Sequence, residues 1–198
     1  MTQTKLALEG IVHAGKTTLL HAIGKQRNDV CCIEEYTAYR GEREFPPFPN
    51  TSEEACSANK FFIDLDSRRF ADATDSRIVL LDRSCISVLA YHYATEQVTL
   101  GKVQCFTQSL QLFQTTFAGF VPDKIIYVEI SMSDLVIRHV GDNGVYKEIL
   151  LSPEFNEHLC NFYDRLDRYF PRLTVYKVDG RLPILEGLAH VNKIIDSL

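Results

Sequence analysis

The chain has 198 residues, of which 45% are hydrophobic and 24% are charged, and its formal net charge is −5 at pH 7. This composition is typical of a globular protein and excludes collagen-like, coiled-coil and wholly disordered classes. No run of about 18 apolar residues occurs, so we expect no membrane-spanning helix. Basic residues are scattered through a net acidic chain, which argues against broad nucleic-acid binding because that needs a clustered basic face.

A chain of this length can bury about 70% of its unfolded surface, which predicts one domain over residues 1–198. The first five residues lead into a short apolar segment without the apolar core of a signal peptide, so we expect a cytoplasmic protein. The six histidines show no metal-ligand spacing, and no zinc site is predicted. The six cysteines form no C-x-x-C pair and are predicted to be buried free thiols, at positions 31, 32, 56, 85, 105 and 160.

Short apolar runs alternate with segments of helical periodicity along the chain. In chain order, the apolar runs predict strands at residues 5–9, 29–33, 78–81, 124–130 and 173–178. The periodic segments predict helices at residues 16–25, 52–72, 86–94, 102–118, 133–140, 153–170 and 184–197. Strands separated by helices imply an α/β fold, in which a five-stranded parallel sheet carries helices on both faces.

Two of the predicted helices begin with capping signals. Thr51 and Glu54 have the spacing of a capping box, T-x-x-E. Ser152 precedes Pro153, which places a cap residue before a first-turn proline. These signals predict helix starts at residues 52 and 153.

The predicted helix at residues 102–118 has an apolar face. Phe106, Leu110, Phe113 and Phe117 recur at helical spacing on that face. Such a face usually packs in the protein core, and a homodimer through it is the alternative.

The segment after the first predicted strand has the pattern of a phosphate-binding loop. Gly10-Ile11-Val12-His13-Ala14-Gly15-Lys16-Thr17 fits G-x-x-x-x-G-K-[ST] at every fixed position. Its glycines let backbone N–H groups converge on a phosphate chain, Lys16 can reach the β- and γ-phosphates, and the Thr17 hydroxyl can bind Mg²⁺. The loop leaves a strand and enters a helix, whose N-terminus adds partial positive charge. We therefore predict a nucleotide-binding site.

A GTPase would need the guanine-recognition pattern N-K-x-D. Asn192-Lys193-Ile194-Ile195 has no aspartate at the fourth position and lies in the last predicted helix. The chain also lacks room for the additional modules of most motor or helicase ATPases. A kinase needs only a phosphate loop, a magnesium site, a base and an acceptor pocket, so a kinase that uses ATP and Mg²⁺ is predicted. A nucleotide-dependent switch that acts through a partner is an alternative from another class.

Charged residues end two of the predicted strands, at the sheet edge where ligands of α/β proteins collect. Asp82 ends the third strand and can hold Mg²⁺ through water or activate an acceptor. Arg83 can bind a phosphate through two hydrogen bonds and stabilise the charge that develops in transfer. Glu34 or Glu35, after the second strand, can take the proton of an acceptor hydroxyl. The alternatives are an ion pair that caps the next helix and a solvated acidic strand end.

These segments resemble the thymidylate kinase and deoxynucleoside kinase group of P-loop kinases. Glu9-Gly10, followed by the loop and Gly15-Lys16-Thr17-Thr18, is similar to the opening of both families. The segment from Asp82 to Tyr91 is similar to the D-R-x-x-x-S-x-x-A-Y block of thymidylate kinases. The resemblance covers most of the chain in order, and it implies the fold of a P-loop nucleoside or nucleotide kinase.

The resemblance also implies roles for individual residues. Thr18 joins the loop residues that bind the triphosphate, and Asp82 and Arg83 serve the metal and the phosphoryl groups. Glu35, rather than Glu34, corresponds to the base of the nucleoside kinases.

Further implied residues concern the acceptor and the lid. Arg68 or Arg69 corresponds to an arginine that contacts the acceptor, and Tyr91 corresponds to an aromatic residue of the base pocket. A lid is implied at about residues 138–152, from which Arg138 closes over the triphosphate.

Together these observations predict transfer of the γ-phosphoryl group of Mg-ATP to a small-molecule acceptor. A nucleoside or nucleoside monophosphate is expected, with a thymidine-type compound as the best single choice, and Glu35 or Asp82 accepts the proton. The first alternative is a kinase of a non-nucleotide hydroxyl, such as that of a sugar, an antibiotic or a vitamin precursor.

Overall fold

The computed structural model describes residues 3–73, 76–140 and 148–198, and in these ranges it confirms the predicted α/β architecture. Five strands form one sheet in the order β2-β3-β1-β4-β5, and each neighbouring pair is parallel. The strands are β1 Thr4–Glu9, β2 Val30–Ile33, β3 Ile78–Asp82, β4 Lys124–Glu129 and β5 Thr174–Asp179. Each strand end lies within one residue of its predicted position.

The helices of the described ranges lie between and after these strands. They are α1 Lys16–Gln26, α2 Tyr36–Tyr39, α3 Ser52–Ala71, α4 Cys85–Val98, α5 Phe106–Gln114, α6 Met132–Val140, α7 Pro153–Tyr163, α8 Leu166–Tyr169 and α9 Ile184–Asp196. Short 3₁₀ helices occur at Ala118–Phe120 and Glu148–Leu151. Among these described helices, none combines the length and the apolar character needed to cross a membrane.

Helices cover both faces of the sheet, as its buried strands require. On one face, α1 and α9 pack against the sheet in a cluster that includes Leu20 and Val128. On the other face, α4 and α7 pack in a cluster that includes Leu89 and Tyr127. Because Tyr127 and Val128 are neighbours on β4, alternate side chains of this strand contact opposite helix layers.

The strand register brings the carboxyl ends of three strands to one place. Leu8 near the end of β1 lies beside Asp82 at the end of β3. Ile33 at the end of β2 lies beside Leu81. The phosphate loop, which follows β1, is therefore next to the charged residues that follow β2 and β3.

Both predicted helix caps are confirmed. The Thr51 hydroxyl oxygen accepts a hydrogen bond from the backbone N–H of Glu54 at 3.2 Å. The Ser152 hydroxyl oxygen accepts from the N–H of Phe155 at 3.4 Å. The helix that begins at Pro153 is interrupted after Tyr163, whereas the sequence predicted a continuous helix to residue 170.

The predicted helix at residues 102–118 is wrong in its extent, because α5 begins only at Phe106 and ends at Gln114. Before it, the backbone N–H of Gln104 donates to the Ser52 hydroxyl of α3 at 2.8 Å, so this segment serves a tertiary contact. After it come Thr115 and Thr116, whose β-branched side chains disfavour helix.

The apolar face of α5 belongs to the core. Phe113 is fully buried, and Phe106, Leu110 and Phe117 pack partly buried against the cluster that covers the α4 face of the sheet. This face therefore offers little free surface for the homodimer considered from the sequence, and the oligomeric state stays a prediction.

The six cysteines are free thiols, as predicted. Their predicted burial is confirmed only for Cys85 and Cys105, since the other four are partly exposed.

Candidate active site

The phosphate loop turns from β1 into α1 through backbone conformations that its glycines permit. Gly10 has a φ of 137°, and a Cβ atom there would lie 2.4 Å from the carbonyl oxygen of Val128. Gly15 has a φ of 98° and is the N-cap residue of α1. Its side chain being a hydrogen, Gly15 leaves the first N–H groups of α1 without a side-chain cap. These donors suit an anionic phosphate group.

Lys16 is held within the loop as a buried amine. It is 5% exposed, and its Nζ donates to the carbonyl oxygen of Ile11 at 2.7 Å. Burial, with a smaller contribution from the nearby positive charge of Arg83, lowers the pKa of Lys16 to about 7. A bound triphosphate would supply negative charge that favours the ammonium form.

Thr17 and Asp82 form an oxygen-rich pair beside the loop. The Thr17 hydroxyl donates to Asp82 Oδ2 at 2.5 Å. Asp82 is fully buried, and its Oδ1 has no hydrogen-bond partner among the described residues. A hydroxyl and an unsatisfied carboxylate oxygen are ligands that Mg²⁺ prefers, so these residues fit the predicted metal.

Arg83 joins Glu35 to the phosphate loop. Its Nε donates to Glu35 Oε1 at 2.9 Å, and its Nη1 donates to the carbonyl oxygen of Gly10 at 2.9 Å. Arg83 has a φ of 63°, a left-handed conformation that is rare for a residue with a side chain. Such backbone strain is typical of positions where function fixes the geometry.

Glu9, the last residue of β1, is the centre of a buried hydrogen-bond network. Its Oε1 accepts from the N–H and the hydroxyl of Ser84 at 2.8 and 2.7 Å, and its Oε2 accepts from Tyr163 at 3.0 Å and from Ser87. Burial raises the pKa of Glu9, and these donors oppose the shift. The carboxylate therefore ties β1 to α4 and α7. The sequence signal for this network was the pair Ser84 and Ser87, which lies within the segment from Asp82 to Tyr91.

A cavity of about 880 Å³ connects these groups, within the usual size of a small-ligand site. Its wall includes the predicted triphosphate-binding residues Gly10, His13, Gly15, Lys16, Thr17 and Thr18. The wall also includes Glu35, Arg83, Tyr91 and Arg138. The predicted residues that do not belong to it are Ala14, Arg68, Arg69 and Asp82. Of these, Ala14 is buried in the core, and Asp82 accepts a hydrogen bond from Thr17, which does line the cavity.

Tyr91 lies in an aromatic part of the cavity wall. Its ring makes edge contacts with Phe155 and Phe48, at centroid distances of 5.2 and 6.2 Å. Phe45 and Phe62 also line the cavity. An apolar, aromatic wall suits a flat ring such as a nucleobase.

Arg138, on α6, contacts the phosphate loop directly. Its Nη1 donates to the carbonyl oxygen of His13 at 2.8 Å, and its Nη2 donates to that of Gly180 at 2.5 Å. Its guanidinium thus lies at the phosphate-loop end of the cavity, where the triphosphate is predicted to bind. Of the lid expected at residues 138–152, residues 141–147 lie outside the described residues.

Arg69 is not positioned to touch an acceptor, which corrects its expected role. It is fully buried, and its Nη1 donates to Asp66 Oδ1 at 2.8 Å. Its remaining donors bind the carbonyl oxygens of Glu34, Asp82 and Arg83 at 2.8–3.0 Å. Arg69 therefore holds together the carboxyl ends of β2 and β3, and it acts on the site through the backbone.

Arg68, the alternative acceptor-binding arginine, also lies away from the cavity. Its side chain is 54% exposed and pairs with Asp64 at 3.3 Å on the surface of α3. Successive helix residues point in directions about 100° apart, so Arg69 faces the sheet while Arg68 faces solvent.

Comparison with known proteins gives a likeness in structure only. No protein-family model and no curated protein matches the chain. Deoxyadenosine kinase from M. mycoides with bound dATP is similar over 98% of this chain and 100% of that chain, with a TM-score of 0.74 and 16% identity. With bound dCTP, the coverage and identity are the same and the TM-score is 0.71.

A second solved enzyme has the same likeness. Thymidylate kinase from Candida albicans is similar over 98% of this chain and 92% of that chain, with a TM-score of 0.66 and 13% identity. At such identities the likeness establishes the fold. The fold implied by the sequence motifs is thereby confirmed: the chain has the P-loop kinase fold that deoxyadenosine kinase and thymidylate kinase share.

Proposed function

We propose that this protein is an ATP-dependent kinase that transfers the γ-phosphoryl group to the hydroxyl of a nucleoside, with a thymidine-type compound as the first choice. The observation that carries the proposal is the shared cavity of the phosphate loop and the Glu35–Arg83 pair. The likeness in fold to a deoxyadenosine kinase and a thymidylate kinase supports a nucleoside or nucleotide acceptor.

Thr17 and Asp82 are the residues that would hold Mg²⁺. When bound, the ion would supply positive charge that offsets the negative charge developing in phosphoryl transfer. Asp82 is buried, bonded to Thr17 and absent from the cavity wall, so it suits a metal site better than a base.

Glu35 is the base in this proposal. It lies in the cavity wall beside Arg83, and its side chain is 34% exposed, which leaves it accessible to an acceptor hydroxyl. Arg83 orients this carboxylate and can stabilise charge on the transferred group. Lys16 and the N-terminus of α1 hold the triphosphate, so that positioning and charge stabilisation supply most of the rate.

The balance of charge in the cavity favours a nucleoside over a nucleoside monophosphate. Among the described residues, the lysines and arginines of the wall are Lys16, Arg83 and Arg138. Lys16 and Arg138 contact the loop backbone at the triphosphate end. Arg83 is already paired with Glu35, and a second phosphate beside this carboxylate would meet like charge. A hydroxyl, in contrast, needs a base and no further cation.

The proposal is tested by incubating the protein with Mg²⁺, ATP labelled at the γ-phosphate and a panel of acceptors. The panel holds deoxynucleosides, their 5′-monophosphates, and hydroxyl compounds that are not nucleosides. We expect label on deoxynucleosides and none with Lys16→Met. Label only on sugars or other hydroxyl compounds would replace the proposed acceptor class. Failure to label any acceptor, together with nucleotide-dependent binding of a partner, would replace the kinase by a switch.

A further inference from the structure

Two thiols from separate segments of the chain lie close together, next to Ala55 of the cavity wall. Cys56 lies in the first half of α3, and Cys105 is the N-cap residue of α5, 49 positions later. Their Sγ atoms are 2.7 Å apart. A disulfide bond is about 2.05 Å long, so the two Sγ atoms would have to approach each other by about 0.7 Å to form one.

The two thiols differ in their access to solvent. Cys56 is partly exposed, and its Sγ also donates to Gln108 Oε1 at 3.0 Å. Cys105 is 3% exposed, and its burial raises the pKa of its thiol to about 12. An oxidant from solution would therefore meet Cys56 first, and Cys105 is placed to complete an intramolecular bond.

Each of the two cysteines is connected to a residue of the cavity wall. Cys56 directly follows Ala55, which belongs to the cavity wall. Cys105 Sγ lies 3.1 Å from the hydroxyl of Ser109, and this hydroxyl hydrogen-bonds with Nδ1 of His92 at 2.9 Å. His92 is also part of the wall. A bond between the two sulfurs would thus link α3 to the segment that supports His92.

We propose that Cys56 and Cys105 form a reversible disulfide by exchange with a low-molecular-weight disulfide such as glutathione disulfide, and that this bond weakens acceptor binding. In the first step, the Cys56 thiol loses its proton to solvent, and the resulting thiolate attacks one glutathione sulfur and displaces a glutathione thiolate. In the second, the Cys105 thiol loses its proton to solvent, and its sulfur attacks Sγ of Cys56 and displaces the second glutathione thiolate. The protein loses two hydrogens, and one glutathione disulfide becomes two glutathione thiols.

The effect on the acceptor, which rests on the proposed function, follows from the place of the bond. Joining the sulfurs draws α3 and the N-terminus of α5 together and shifts Ala55 and His92 at the wall. The contacts of Lys16, Thr17 and Arg138 at the triphosphate end involve neither cysteine. Oxidation should therefore raise the KM for the acceptor and leave the KM for ATP unchanged.

The bond itself is tested on the full-length protein in glutathione buffers of increasing oxidised fraction. Intact mass and non-reducing peptide mapping should show a species lighter by two hydrogen atoms, with the peptides of Cys56 and Cys105 joined, and dithiothreitol should reverse it. Cys56→Ser and Cys105→Ser should each abolish this species, whereas the control Cys160→Ser should retain it. A stable glutathione adduct on Cys56 without closure, or a bond between other cysteines, would overturn the proposal. Mapping of the unsubstituted protein decides this point even if a variant folds poorly.

The consequence is tested by steady-state kinetics of the reduced and oxidised forms. We expect the acceptor KM to rise at least about threefold on oxidation, with no change in Cys56→Ser. Equal acceptor KM values for the two forms would refute the effect on binding. A reduced protein that phosphorylates no nucleoside would refute the proposed function and leave the mapping result standing.

Discussion

Arg83 donates to Glu35 through Nε and to the carbonyl oxygen of Gly10 through Nη1, both at 2.9 Å. One guanidinium thus sets the position of the candidate base relative to the phosphate loop. A planar group with several fixed donors is needed to hold both partners at once.

Arg83→Lys should therefore lower turnover far more than it lowers nucleotide binding. The ammonium keeps the positive charge but cannot bind Glu35 and the loop together. We expect kcat to fall by a factor of about 100 or more, as when a preorganised donor is removed. Circular dichroism controls for folding, and a kcat within about threefold of the original would contradict the assigned role.

Glu35→Gln should abolish most of the turnover with little change in affinity for ATP. The amide has nearly the same shape and keeps an oxygen that accepts from Arg83, but it cannot take a proton. Single-turnover transfer and calorimetric ATP binding are the two measurements. The matched control is Glu34→Gln, because Glu34 pairs with His21 at 2.8 Å and is not in the cavity wall. Unchanged transfer in Glu35→Gln would move the role of base to Asp82.

The buried Lys16 should leave a signature in the pH dependence of stability. Its pKa is about 7 in the folded protein and 10.5 in the ordinary, solvated state. Between these values the unfolded chain binds more protons, so the contribution of Lys16 to the free energy of unfolding rises with pH.

Lys16→Met should remove this part of the pH dependence. Urea unfolding at about pH 7 and about pH 9.5 gives the free energy of unfolding of both proteins at each pH. An unchanged dependence on urea concentration shows that the unfolding transitions are comparable. If the free energy of unfolding changes between the two pH values as much in Lys16→Met as in the original protein, the pKa of Lys16 is not lowered by folding.

Gly10→Ala should destabilise the fold as well as the loop. A Cβ atom would lie 2.4 Å from the carbonyl oxygen of Val128, and the φ of 137° is unfavourable for alanine. We expect a loss of about 2–4 kcal/mol in the free energy of unfolding. The matched control is Gly119→Ala, where no described residue other than the two chain neighbours has an atom within 4 Å of the new methyl group. Similar melting temperatures of the two variants would contradict the close packing of the loop on β4.

Arg69→Met should lower the free energy of unfolding far more than Arg68→Met, although the two residues are neighbours in sequence. Removing Arg69 leaves the buried carboxylate of Asp66 without its ionic partner, at a cost of about 3–5 kcal/mol. Removing Arg68 breaks only a solvent-exposed pair with Asp64, so we expect a much smaller change in the free energy of unfolding. Chemical denaturation measures both, and an acceptor KM that rises in Arg68→Met would restore the role that sequence reasoning assigned to it.

Much of the architecture could be predicted because its signals are local. The five strands are short apolar runs, and their ends were placed to within one residue. The helix predicted at residues 102–118 failed because Gln104 bonds to Ser52 of another helix, and periodicity within the segment contains no information about such a partner.

By itself, the sequence determined the phosphate loop, because its glycines, Lys16 and Thr17 are contiguous and act through the backbone they share. Only the tertiary structure decided the buried pairing of Arg69 with Asp66, the hydrogen bonds of Glu9 and the proximity of Cys56 to Cys105. The partners of these groups lie between 3 and 154 positions away along the chain, and burial changes what each group can do. A buried charge must be paired to be tolerated, and the folded packing of the helices on the sheet selects the partner.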